Sequence, residues 1–188
     1  IAMFARIPQD KGVAPQTISG AEELPEGAIV KSEIVNSQAV AETLAKLTSR
    51  IPVSRIGSEL VVVLSISPAH MYSELVVFPI MPQDRLEEAV RLKLETSLPW
   101  PSSETYSDWR VVPIEDQGKI GVYISAVKRS VADAYYMVFK QSGLRVAACE
   151  FHLMSLTHGI SVAEGGGKSH LIILTDDECI EFGIFSNF

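Results

Sequence analysis

The spacing of apolar residues predicts an amphipathic helix over residues 83–97, near the middle of the chain. Leu86, Val90 and Leu94 recur every four residues, and Ala89 with Leu92 widens this apolar stripe, as packing on one side requires. Pro99 ends the helix, because proline disfavours helical backbone geometry in the residue before it. We therefore expect this helix to serve packing and not chemistry.

Apolar runs and turn residues on either side predict a chain that alternates between strands and helices. The run LVVVLSI at residues 60–66 has strand length and no alternation for most of its course, which is typical of a central strand covered on both faces. Further strands are predicted at residues 1–7, 13–20, 70–78, 105–112, 119–127, 144–149, 171–174 and 179–185, and further helices at 37–49, 130–142 and 151–162. This order predicts an α/β protein.

Length and charge narrow the classes of function. A chain of 188 residues with 47% hydrophobic content can bury a core, as one domain or as two small subdomains. The net charge of −7 and the lack of any Lys/Arg run argue against a nucleic-acid partner. No apolar run reaches the ~18 residues of a membrane-spanning helix, so we expect no direct membrane insertion. Because the chain opens at Ile1 inside a predicted strand, we expect it to be part of a longer protein.

No residue pattern predicts an enzyme. The four histidines are scattered, and neither a G-x-S-x-G nor a C-x-x-C motif occurs. Residues 165–169 (GGGKS) resemble the end of a phosphate-binding loop, but Val162 stands where that motif needs its first glycine. The stretch also follows a predicted helix and precedes a predicted strand, the reverse of the order that such a loop requires. We expect Cys149 and Cys179 to be free thiols in a reducing compartment.

Short motifs follow one another in a set order around the central helix. They are Phe78-Pro79, Glu88-Ala89-Val90, Glu95, Leu98-Pro99-Trp100-Pro101, Glu104, Asp108-Trp109, Ala126-Val127-Lys128 and Ser142-Gly143-Leu144. In this order they resemble the PilM family, the actin-like proteins of the type IV pilus inner-membrane platform. That family is related to the cell-division protein FtsA and to the GspL proteins of type II secretion. The likeness runs from about residue 23 to about residue 156.

The resemblance implies a partial actin-like, ribonuclease H-like ATPase fold with an inserted strand-helix-strand-strand subdomain. Residues 1–66 and 144–165 would form the first actin-like subdomain, and residues 67–143 the insert. Residues 166–188 would begin the second actin-like half.

The resemblance also implies a function. It is that of a cytoplasmic scaffold protein of the pilus machine, held at the inner membrane through its partners. Such a protein would bind the N-terminal cytoplasmic tail of a PilN-like bitopic membrane protein in a groove between the two subdomains, and would also contact pilus ATPases. The residues expected at the groove are Met71, Tyr72, Leu75, Val77, Met81 and Trp100. Trp100, between two prolines, is either an exposed aromatic anchor or a cap on the helix–strand corner.

An actin-like fold implies ATP and Mg²⁺ as cofactors, but this chain departs from the family's phosphate-binding pattern. The turn at Asp176 and Asp177 lacks the glycine of the family's D-I-G-x-x-x-T, and its carboxylates would repel a phosphate. We therefore expect no cofactor and no catalysis. Two alternatives stay open: an actin-like ATPase with missing or degenerate phosphate loops, and a GspL-like platform protein of type II secretion.

Overall fold

The computed structural model describes residues 2–7, 16–51, 60–116, 118–157, 169–175 and 180–185. In chain order its elements are β1 (Ala2–Ile7), β2 (Gln16–Ala21), β3 (Ile29–Val30), β4 (Glu33–Ile34), α1 (Ser37–Thr48), β5 (Leu60–Ile66), β6 (Met71–Pro79), α2 (Gln83–Ser97), β7 (Thr105–Val112), β8 (Lys119–Lys128), α3 (Arg129–Gln141), β9 (Leu144–Phe151), β10 (His170–Thr175) and β11 (Ile180–Phe185). Residues 152–157 are helical. No helix in these ranges is long and apolar enough to cross a membrane.

Strands β5 and β9 pair in parallel, and α1 and α3 cover one face of this pair. On that face Leu64 and Ile66 pack against Val131 of α3. On the opposite face Val61 and Val63 are 50% and 55% exposed. The expectation of a strand covered on both faces is therefore wrong for the part of the chain described, because both helices lie on one side.

A second unit is built from three antiparallel strands in the order β6-β8-β7, with α2 packed across one face. Leu86 and Val90 of α2 are buried against Val122 and Ile124 of β8. The predicted helix 83–97 is confirmed in both bounds and buried stripe, with one exception. Leu92 is 51% exposed, because it points away from the sheet.

A strained turn between β3 and β4 ties the two units together. Its central residues, Lys31 and Ser32, have φ values of 48° and 62°, in the left-handed region that L-residues rarely adopt. The His70 ring Nε2 donates to the Lys31 carbonyl at 2.6 Å, and the Tyr135 hydroxyl donates to the Ser32 carbonyl at 3.2 Å. Since His70 directly precedes β6 and Tyr135 lies on α3, which packs on β5, the turn contacts both units.

Strands β10 and β11 form an antiparallel hairpin with one strongly apolar face. Its side chains are 58% to 78% exposed: Leu171, Ile173, Ile180, Phe182 and Ile184. The other face turns towards residues 152–157, because a Cβ added at Gly183 would come within 3.2 Å of Leu153. The hairpin thus buries one face and leaves the other open.

The packing of α2 predicts unequal costs for two neighbouring substitutions. Leu86→Ala removes a side chain that is 2% exposed and should lower the free energy of unfolding by roughly 2–5 kcal/mol, because the cavity cannot fully collapse. Glu87→Ala, on the exposed side, should change it by less than about 0.5 kcal/mol. Urea unfolding of both variants measures the difference, and equal values would mean that the helix is rotated about its axis.

Close packing at Gly121 gives a second prediction. A Cβ there would lie 2.5 Å from Ile114 Cγ2 and 2.9 Å from the carbonyl oxygen of Val112, so Gly121→Ala forces the backbone of β7 to move. The expected cost is about 1–3 kcal/mol, typical of overpacking. Gly118→Ala is the matched control, because its nearest atom, Asp116 Oδ1, is 3.4 Å away. In thermal unfolding, Gly121→Ala should have a clearly lower melting temperature than Gly118→Ala. Similar melting temperatures would contradict the close packing at Gly121.

Candidate functional site

A groove separates the three-stranded sheet from β9, on the side of the sheet that α2 leaves open. Its first cavity has a volume of about 210 Å³. The sheet wall consists of Met71, Asp108, Trp109, Arg110, Tyr123 and Ser125. The facing wall consists of Ala148, Cys149, Glu150 and Phe151 from β9, with Met154 from the helical residues that follow.

A second cavity of about 320 Å³ adjoins the first. It lies between α3, the ends of β5 and β9, and the start of β7, and it shares Cys149 with the first cavity. Its other lining residues are mostly apolar or aromatic: Leu64, Tyr106, Ala132, Asp133, Tyr136 and Val146. Because Tyr106 and Asp108 are two positions apart on one face of β7, and Cys149 lines both cavities, the two cavities form one groove along that strand.

A shift of register in β9 shapes the facing wall. Val62 of β5 pairs with Val146, but the next residue, Val63, pairs with Ala148, so Ala147 is an extra residue in β9. Such bulges bend a strand and re-aim the side chains that follow. The residues after this bulge, from Ala148 onward, are the ones that line the first cavity.

Charged side chains around the second cavity are held by neighbours. The Arg129 guanidinium lies 4.4 Å from the centre of the Tyr106 ring, and its Nε donates to the Thr105 carbonyl at 3.1 Å. The Tyr106 hydroxyl donates to Asp133 Oδ1 at 3.1 Å. These bonds fix the Tyr106 ring at the mouth of the cavity.

The first cavity contains two charged residues of β7 with different contacts. Asp108 Oδ1 accepts a hydrogen bond from the backbone N–H of Trp109 at 2.8 Å. The Arg110 guanidinium lies 5.8 Å from the centre of the Tyr123 ring on the neighbouring strand. The cavity thus offers a carboxylate and a guanidinium two positions apart on β7, with an aromatic ring opposite the guanidinium on β8.

Cys149 stands where the two cavities meet. Burial, with a smaller contribution from the charge of Glu150, raises the pKa of the Cys149 thiol to about 11. The thiol is therefore protonated near neutral pH and is not an activated nucleophile. Cys179 lies outside the described residues.

The structure divides the six residues predicted for the groove. Met71 lines the first cavity, and Leu75 and Val77 are exposed on the same face of the sheet. Tyr72 points to the opposite face, where it hydrogen-bonds Glu74, the residue that Lys93 of α2 also contacts at 3.0 Å.

Met81 also belongs to the side that α2 covers. Met81 packs against the core under α2, and Trp100 is half-buried just after that helix. Residues of a strand alternate between faces, so a run such as 71–77 cannot line one groove as a whole. Sequence reasoning missed Tyr106, Arg110 and Tyr123, whose only signal was the alternating pattern of their strands.

Chemical roles in catalysis or cofactor binding are not visible in the described ranges. No group of three or more His, Cys, Asp or Glu residues there could hold a metal ion. The turn at Asp176 and Asp177 and the stretch 165–168 lie outside the described residues, so the predictions made for them stay predictions.

Comparison with known proteins gives a likeness to a solved structure. No protein-family model matches the chain, and no curated protein matches it. A chain of the solved "PilM-PilN type IV pilus biogenesis complex" superposes with a TM-score of 0.75 at 17% sequence identity, over 99% of this chain. This chain has the fold of that protein. The match covers 55% of the solved chain, so the sequence spans about half of its length.

The likeness confirms the predicted fold class, a partial actin-like α/β fold of the PilM type. The second unit has the predicted order of strand, helix, strand and strand in β6, α2, β7 and β8. The exact domain boundaries stay a prediction.

The raised thiol pKa predicts slow alkylation of Cys149. In a Cys179→Ser background, iodoacetamide at pH 8 should meet about one thiolate in a thousand molecules, against roughly a quarter for an ordinary thiol of pKa ~8.5. The rate should still rise between pH 9 and about 11, where an ordinary thiol has levelled off. Denatured protein is the control and should react at the ordinary rate. Identical pH profiles for native and denatured protein would contradict the burial of this thiol.

Proposed function

We propose that this chain belongs to an assembly protein of a type IV pilus platform and that it acts by binding, not by catalysis. The observation that carries the proposal is the fold, which is shared across 99% of the chain with a protein solved in a PilM–PilN complex. In this proposal the partner is the N-terminal cytoplasmic tail of a PilN-like membrane protein. The chain would lie in the cytoplasm and reach the inner membrane through that partner.

The groove between the two units is the site that we assign to the tail. It follows β7 from Tyr106 to Arg110, so an extended segment of about five residues would span ~17 Å along it. The apolar lining residues suit aliphatic or aromatic side chains. The charged lining residues, among them Asp108, Arg110 and Asp133, suit the polar backbone groups of an extended chain. A short tail that becomes ordered on binding gives modest affinity, because the loss of its freedom offsets much of the contact energy. We therefore expect a micromolar dissociation constant.

The acidity of the chain adds a kinetic expectation to this proposal. With a net charge of −7, it should attract a tail whose flanking residues are basic, and added salt should weaken that attraction. Salt should thus slow association more than it changes the contacts made in the groove.

A pair of neighbouring alanines tests the location of the tail. Ala148 lines the first cavity, whereas Ala147, the extra residue of the bulge, does not, and both side chains are exposed. Ala148→Trp should fill the groove and weaken binding of a synthetic PilN-like tail peptide by about tenfold or more, or ~1.4 kcal/mol. Ala147→Trp should leave the affinity within about twofold. Calorimetric titration measures both, after circular dichroism has shown that each variant is folded.

Two results would count against the proposal. Failure of the wild-type chain to bind the tail at millimolar concentration would remove the assigned function. Equal affinity in wild type and Ala148→Trp would leave the function but place the tail outside this groove.

A further inference from the structure

One of the strand edges at the groove belongs to β7. In the described part of the chain the sheet order is β6-β8-β7, so β6 and β7 each have one edge without a strand partner. Residues 108, 109 and 110 all line the first cavity, although consecutive residues of a strand point to opposite faces. The Trp109 side chain packs under α2, and its backbone N–H bonds the Asp108 side chain, which also lines the cavity, so this edge of β7 borders the cavity. Strand β6 contributes only Met71, at its first position, so its edge lies elsewhere.

A carboxylate occupies one of the hydrogen-bonding positions on that edge. An edge strand turns every second backbone N–H and C=O away from its neighbour, and these groups are a template for another extended chain. The N–H of Trp109 donates to the Asp108 carboxylate at 2.8 Å. Charged residues at such positions are one way in which proteins keep an edge from pairing with unwanted strands.

We infer that the outer edge of β7 is the strand with which the tail pairs, and that Asp108 closes this edge until the tail displaces it. The inference rests on the proposed function and names its contact: backbone hydrogen bonds to β7, with alternate side chains of the tail directed into the groove. The occupant is an extended peptide in which every second residue presents its backbone N–H and C=O to β7. The two cavities, on either side of the Tyr106–Asp108 stretch, receive side chains that are two or more residues apart along that peptide.

The displacement of Asp108 should lower the affinity for the tail, and this effect can be measured. In the free protein the Trp109 N–H is bonded to a charged acceptor, and tail binding must exchange that bond for one to a neutral carbonyl. Bonds to charged acceptors are the stronger kind, so the exchange opposes binding. Removing the carboxylate should therefore tighten binding, the reverse of what loss of a contact residue does.

The experiment compares Asp108→Ala, Asp108→Asn and the control Glu87→Ala in titrations with a PilN-like tail peptide. Asp108→Ala should bind the peptide about three- to tenfold more tightly than wild type, from the typical net value of one hydrogen bond. Asp108→Asn keeps a neutral acceptor, so its affinity for the peptide should lie between those of wild type and Asp108→Ala. Glu87→Ala makes the same change of charge on the outer face of α2 and should match wild type. In the free protein, hydrogen exchange of the Trp109 amide should be faster in Asp108→Ala than in wild type.

A second set of peptides tests the backbone pairing directly. Peptides N-methylated at alternate positions lose either the amides that face β7 or those that face away, so one set should fail to bind and the other should bind normally. Tail binding that Asp108→Ala leaves unchanged or weakens, or that tolerates N-methylation at every position, overturns the inference and leaves the proposed function standing. Absence of binding in wild type and in every variant overturns both.

Discussion

The three-stranded sheet buries one face under α2 and leaves the other open, and the first cavity of the groove lies on that open face. Helices α1 and α3 cover one face of β5 and β9, and α2 covers one face of the three-stranded sheet. A second covering layer on the three-stranded sheet would fill the space that Tyr123 and Arg110 now line. The hydrophobic effect therefore supplies the stability on one side of the three-stranded sheet, while the first cavity lies on the other.

The position of the two units depends on few connections. Strand β8 passes into α3 without a loop, since Lys128 ends one and Arg129 begins the other. The turn at Lys31 and Ser32 adds a second connection, and its backbone conformation costs roughly 1–2 kcal/mol for each residue. Hydrogen bonds from His70 and Tyr135 to the two carbonyls of that turn offset part of the cost. A strained segment is thus retained where it contacts both units.

Sequence reasoning succeeded where one periodic signal decides the structure and failed where the arrangement of elements decides it. The spacing of Leu86 and Val90 was enough to place α2, and Gly143, with a φ of 75°, ends the region of α3 as its sequence position suggests. Leu92 was assigned to the wrong side because apolar identity was weighed above angular position. The predicted burial of β5 on both faces failed for another reason, while the groove residues predicted on and near β6 stay a prediction. Sequence gives the alternation within a strand, but not which strand lies at an edge, and the order β6-β8-β7 is set by tertiary packing.

The open face of the β10–β11 hairpin makes the association of this chain with itself depend on protein concentration. Five large apolar side chains, from Leu171 to Ile184, stand side by side on two strands. Exposed apolar surfaces of this kind favour self-association, which increases with protein concentration. Salts that are excluded from protein surfaces strengthen it. Replacement of Phe182, at the centre of the face, by a charged residue would separate self-association from events in the groove. The hairpin and the groove can then be varied independently. Salt should strengthen association through the hairpin face and should weaken charge-assisted binding in the groove.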